Sequence, residues 1–233
     1  MGNIFTSSIG KKLIMSISGV FLVLFLLFHM SMNLVAIISP EGYDAICAFL
    51  GSNWYALVGT LALAGGFLVH ILYALLLTLY NRKARGNNRY AVTVTPKHVS
   101  WASQNMFVLG LIVVSGILLH LLQFWYKMQF AEIMGHHTVT LGESLEVATT
   151  AGSAFIAYYF SNIYIVVAYL VWLAALWFHI SHGFWSALQS IGWNNQTWMP
   201  RIKCASTIFA TFIFLGFASV VIAFYVKSIC GCC

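Results

Sequence analysis

The chain has 233 residues, of which 61% are hydrophobic and only 7% charged, with 18 Phe, 11 Tyr and 8 Trp. That composition lies far outside the soluble average and marks an integral membrane protein. Its 11 Lys and Arg against 5 Asp and Glu give a net charge of +6, and where those charges fall along the chain carries the topology.

The first apolar run, Leu13–Ile38, follows Lys11 and Lys12 and contains His29. It has the outline of a signal peptide, but no small-x-small cleavage site follows it and it is long enough to span, so it reads as a retained helix. The connection Ser39–Asn53 carries Glu41 and Asp44. A second run, Trp54–Tyr80, contains His70 and leads into a basic stretch with Arg82, Lys83, Arg85, Arg89 and Lys97. The third, Ala102–Tyr126, contains His120 and is followed by a long connection, Lys127–Ala157, with Glu132, Glu143 and Glu146. The fourth, Tyr159–Leu188, contains His179 and His182; Arg201 and Lys203 precede the fifth, Cys204–Lys227. Each run meets the roughly 20 apolar residues that a bilayer-spanning helix needs.

Long, nearly uncharged runs are a poor fit to a β-barrel with short alternating strands. The expected fold is all-α, one membrane domain over residues 1–233 with five transmembrane helices. Nine of the eleven basic residues fall on one side of that arrangement; Lys127, Lys227 and all five acids fall on the other. The positive-inside bias places the N-terminus in the cytoplasm and the C-terminus outside. The two long outer connections are candidate lids, since loops of that length often cover a site. The cysteines carry little: Cys47 and Cys204 are single, and the terminal Cys-Gly-Cys-Cys lacks zinc-like spacing.

The histidines carry more. His98, His136 and His137 fall in loops, whereas His29, His70, His120, His179 and His182 lie within the apolar runs. An ionisable side chain in the bilayer is costly and usually has a partner or a function; the plainer alternative is a neutral imidazole hydrogen-bonded to a neighbouring helix. Depth favours function. At 1.5 Å per residue His29 lies ~24 Å and His120 ~27 Å from the inner ends of their helices, while His70 and His179, on helices running the other way, each lie ~24 Å from the outer ends. Four histidines on four helices thus form two pairs at two depths, which is what bis-histidine ligation of two b haems requires.

A macrocycle between such helices needs room. Small side chains stand one turn before three of the histidines: Gly65 and Gly66 before His70, Ser115 and Gly116 before His120, Ala174 and Ala175 before His179. Taken alone they suit helix packing; in phase with histidines they suit a cofactor slot. His182 has Trp177 and Phe178 at the corresponding positions. Sterics therefore select His179 as the iron ligand and leave His182 to bond a propionate or line the edge of the site.

The five-helix plan with "FHMSMNL", "LVHILYALLL", "GILLHLLQFW" and above all "FHISHGFWSALQSIGW" closely resembles the dihaem cytochrome b membrane subunit of bacterial succinate:quinone oxidoreductases, the group shared by succinate dehydrogenase and fumarate reductase. The resemblance covers all five helices, and the His-x-x-x-Gly-aromatic-Trp run is its most specific part. It implies a multi-pass subunit of the bacterial cytoplasmic membrane that anchors a flavoprotein and an iron–sulphur protein at the inner face and exchanges electrons with menaquinone. The proximal haem would use His70 and His179, and the distal haem His29 and His120, with the quinone site near the latter.

Two positions depart from that family. Some relatives carry a glutamate where this chain has Trp177, and some an acid shortly before helix II, where this chain has Gly51. Glu41 and Asp44 are left as the catalytic candidates for quinone-linked proton exchange. No flavin fingerprint or iron–sulphur cysteine pattern occurs, so dicarboxylate chemistry would reside in partner chains. The alternatives are a dihaem anchor of another respiratory complex, such as a hydrogenase or formate dehydrogenase, and a haem-free transporter or scaffold.

Overall fold

The computed structural model describes residues 7–85 and 100–231. In chain order it contains α1 (Ser8–Ile38), α2 (Pro40–Phe49), α3 (Trp54–Arg85), α4 (Trp101–Gln104), α5 (Met106–His120), a π-helical segment (Leu121–Phe130), α6 (Ala131–Ile133), strands β1 (Thr138–Leu141) and β2 (Leu145–Ala148), α7 (Gly152–Phe160), α8 (Ile163–Ser190) and α9 (Met199–Cys230). Among the described residues, five helical stretches are long and apolar enough to cross a membrane: Ser8–Ile38, Trp54–Ala84, Met106–Ile133, Ile163–Ser190 and Met199–Cys230. Arg89, Lys97 and His98 lie outside the described residues.

The helices run further than their apolar cores. Lys11 and Lys12 lie inside α1, whose start is capped by Ser7, its side chain accepting the Gly10 N–H. Arg201 and Lys203 lie in the first turns of α9, where Pro200 is tolerated because those N–H groups have no intrahelical acceptor. Charge ends a hydropathy run without ending a helix. The fourth expected span, by contrast, is two helices. Asn162 accepts the Tyr164 N–H at 2.9 Å and Ser161 donates to the Tyr158 carbonyl at 2.8 Å, local bonds that stop α7 and restart the chain as α8.

The outer connections are folded as well. Ser39 ends α1 and caps α2, accepting the Gly42 N–H at 3.0 Å. The fold is all-α, as expected, and one connection holds a short antiparallel hairpin pairing Thr138 with Ala148 through Leu141 with Leu145. Gly142, at φ 64°, supplies the left-handed turn.

The core lies among α1, α7, α8 and α9, around Phe155, Met30, Ile156 and Ile213. α8 and α9 make the closest helix pair, whereas α3 rests chiefly on α1. None of the most apolar stretch of α3 is buried, and Leu61, Leu68, Leu72 and Leu79 face outward, as lipid-facing side chains do. Lys11 stands over the Tyr80 ring at 5.3 Å, which joins the start of α1 to the end of α3. One end of the bundle therefore carries Lys11, Lys12, Arg82, Lys83, Arg201 and Lys203; the opposite end, formed by α2, α6, the hairpin and α7, carries all five acids.

Candidate functional site

The histidine pair nearer the basic end is labelled inner and the pair nearer the acidic end outer; the inner pair is built by α3 and α8. His70 and His179 face each other with ring centroids 6.4 Å apart and planes inclined at 66°. Behind His70 stands α1. The Ser18 hydroxyl donates to the Met15 carbonyl at 3.1 Å and its oxygen lies 3.2 Å from His70 Nδ1. The tautomer of His70 decides which of the two donates in that contact. With the proton on Nδ1 the lone pair would be on Nε2, the state in which a neutral imidazole binds a metal. His179 Nδ1 is buried without a hydrogen-bond partner, an exception among buried polar atoms.

Two glycines bring their helices up to this pair. A Cβ on Gly19 of α1 would stand 3.3 Å from His70 Cε1, and one on Gly110 of α5 would stand 3.8 Å from His179 Cε1. Sequence reasoning passed over both, because neither shares a helix with the histidine it faces.

The outer pair joins α1 and α5. His29 and His120 have centroids 5.8 Å apart and planes inclined at 80°. Phe25 and Phe217 flank His29, and Phe124, Tyr169 and Trp172 gather about His120. Asn33 donates to the His29 carbonyl at 2.8 Å, while its amide nitrogen is 3.5 Å from His29 Nε2, too long to tie up that lone pair. Gly19 and His29 are ten residues apart on α1, as are Gly110 and His120 on α5. Both helices thus put the two levels ~15 Å apart.

Among the described residues, the His182 ring pairs with no second histidine ring. Its ring stands edge-on to Trp185 at 4.8 Å, and its Nδ1 is buried without a partner. Of the small residues in phase with the histidines, Gly65 faces open space, but Gly66 lies under the Phe21 ring and Gly116 under Trp172. Those two serve packing between helix and ring. Ser115 is exposed and Ala175 is buried. Trp177 donates its indole N–H to Thr211 on α9 at 2.9 Å.

At the acidic end Glu41 is exposed, accepting from Ser39 at 3.3 Å. Both oxygens of Asp44 are engaged by Ser153, with its N–H at 2.7 Å and its hydroxyl at 2.8 Å, so this carboxylate caps the start of α7. Neither acid contacts His29 or His120. The neighbour that does reach inward is Tyr43, whose hydroxyl donates to Asn33 Oδ1 at 3.2 Å. Burial holds the Tyr43 phenol well above its ordinary pKa, with Cys47 beside it adding to the effect, and burial takes the Cys47 thiol up to about 11. Both are neutral donors at pH 7. Glu132, counted in the sequence only as one outer acid among five, has its carboxylate against Gly51 and accepts from the Ser52 hydroxyl at 3.0 Å.

Compared with protein-family models, curated proteins and solved structures, this chain matches none. What the site can hold is therefore argued from its donors. Among the described residues no three His, Cys, Asp or Glu side chains converge on a metal position, so the available sets are the two facing imidazole pairs. The ring centres of the two pairs stand 6.4 and 5.8 Å apart in edge-on contact. Two imidazole pairs on four helices, a buried orphan nitrogen on His179 and an aromatic, apolar surround are a donor set that suits bis-histidine ligation of a haem at each level.

Proposed function

We propose that this chain is the membrane-anchor cytochrome b subunit of a succinate:quinone oxidoreductase in a bacterial cytoplasmic membrane. It would bind two b haems, one held by His70 and His179 and the other by His29 and His120, and link a partner iron–sulphur subunit with menaquinone. The observation that carries this reading is that four histidines, from four long apolar helices, stand in two ring pairs with centroids 6.4 and 5.8 Å apart. The likeness of the helix sequences to that family supports the choice among dihaem anchors.

When bound, haem supplies one-electron transfer at a potential that its surroundings tune. The chain's own residues do the rest. His70 would present Nε2, with its Nδ1–H donated to the Ser18 hydroxyl oxygen. Asn33 and Tyr43 steady the turn of α1 that carries His29. The packed rings about His120 keep water from the outer level. His182, one turn beyond His179 towards the basic end, would bond a propionate or border the inner site.

The basic end would receive the flavoprotein and iron–sulphur subunits, which puts the quinone at the acidic end near His29 and His120. Proton exchange there needs a carboxylate as general base, and Glu41 and Asp44 are the candidates carried from the sequence. Glu132 joins them, since it stands where a side chain at position 51 would be. Purified as a complex, the assembly should reduce a menaquinone analogue with succinate and show a reducible b-type α-band. Glu41→Gln should slow quinone-linked turnover while leaving dye-linked succinate oxidation and the spectrum unchanged; if turnover is equal, with Glu132→Gln slow instead, the base is Glu132. Absence of both succinate activity and an α-band from the intact complex would overturn the proposal.

A further inference from the structure

Away from both histidine pairs, at the basic end, the turn between α8 and α9 borders an open pocket of about 590 Å³ lined by Trp193, Asn195, Trp198, Arg201, Ile202 and Ala205. That is the size of a small-molecule pocket. Its one charged side chain is a cation. The Arg201 guanidinium lies over the Trp198 ring at 5.1 Å, and all five acids are at the opposite end. Asn195 turns Oδ1 to the N–H groups of Thr197, at 2.8 Å, and Trp198, at 3.2 Å, which leaves its Nδ2 to donate outward. A planar cation with an amide donor beside it suits a phosphate.

The rest of the lining is apolar and leads out along α9. Arg201, Ala205, Ile208, Phe212 and Leu215 are all exposed and recur at intervals of three and four, one face of a helix. Leu215 stands ~21 Å along the axis from Arg201, more than half of a ~30 Å hydrocarbon core, so the stripe is long enough to carry an acyl chain through one leaflet. Paired tryptophans at its foot match the interfacial belt of membrane proteins.

We propose that this cavity binds one anionic phospholipid, with its phosphate on Arg201 and Asn195 Nδ2, its glycerol end between Trp193 and Trp198, and an acyl chain along the α9 stripe. An acidic segment of a soluble partner would use Arg201 but not the stripe. The assignment is independent of the haem reading.

The test is native mass spectrometry of the complete complex released from bilayers of mixed phosphatidylcholine and phosphatidylglycerol. One phosphatidylglycerol should remain per chain, with phosphatidylcholine not retained. Arg201→Gln should weaken retention about tenfold or more, the loss of a charge-assisted contact, and Asn195→Ala should weaken it less. Arg82→Gln, which removes an exposed charge from the same end of the bundle, should change nothing. Matching circular dichroism establishes that each variant is folded. Equal retention by wild type and both cavity variants, equal retention of phosphatidylcholine, displacement by inorganic phosphate, or retention only after the soluble partners are stripped would each overturn the proposal.

Discussion

The Ser18 oxygen lies 3.2 Å from His70 Nδ1 and 3.1 Å from the Met15 carbonyl. Ser18→Ala removes the ring's hydrogen-bond partner on α1, so neither its tautomer nor its orientation is held from that helix. Outer-shell partners of this kind typically govern ligand affinity by about 10–100-fold. Haem retention at the inner level should fall by that order in Ser18→Ala, read by spectral titration, with the outer level unaffected; unchanged retention would show that Ser18 does not position His70. A second prediction separates neighbours on one helix. His179 faces His70, whereas His182 faces Trp185. His179→Ala should abolish the inner low-spin signal in electron paramagnetic resonance, and His182→Ala should keep it while shifting its potential. The reverse result would move the ligand to His182.

Among the elements, α1 reaches the inner level only because Gly19 has no side chain. A leucine there would meet His70, whose Cε1 is 3.3 Å from the position of a Cβ, while Gly59 on α3 has nothing within 4 Å. Gly19→Leu should cost about 1–3 kcal/mol by overpacking and lower the inner haem content. Gly59→Leu should melt within a degree or two of wild type and keep its full spectrum. This contact shows what a sequence hides. Apolar runs mark five spans because each must cross the same hydrocarbon thickness, and the depths of four histidines follow from helix rise alone. Gly19 and Gly110 act across helix boundaries, and their partners become neighbours only in the packed bundle. The capped break at Ser161–Asn162 lies inside an apolar run, so hydropathy reads through it. The π segment Leu121–Phe130 leaves no periodicity distinct from an α-helix over ten residues. The hairpin did leave a signal, alternation in "TVTL" and "LEVA" about Gly142, but the long acidic connection read as a lid instead.

For the whole molecule, the arrangement is polar from end to end. Cations gather where α1 begins and α3 and α8 finish, acids gather over the outer histidine pair, and ~15 Å of dry helix separates the two histidine levels. The electron transfer proposed for this chain requires a haem at both levels. The most direct measurement is a pyridine haemochrome assay on the fully loaded wild-type complex, calibrated against the quantity of this chain. Two haems b per chain are predicted, falling to one in His29→Ala; one haem or none in wild type would contradict the account.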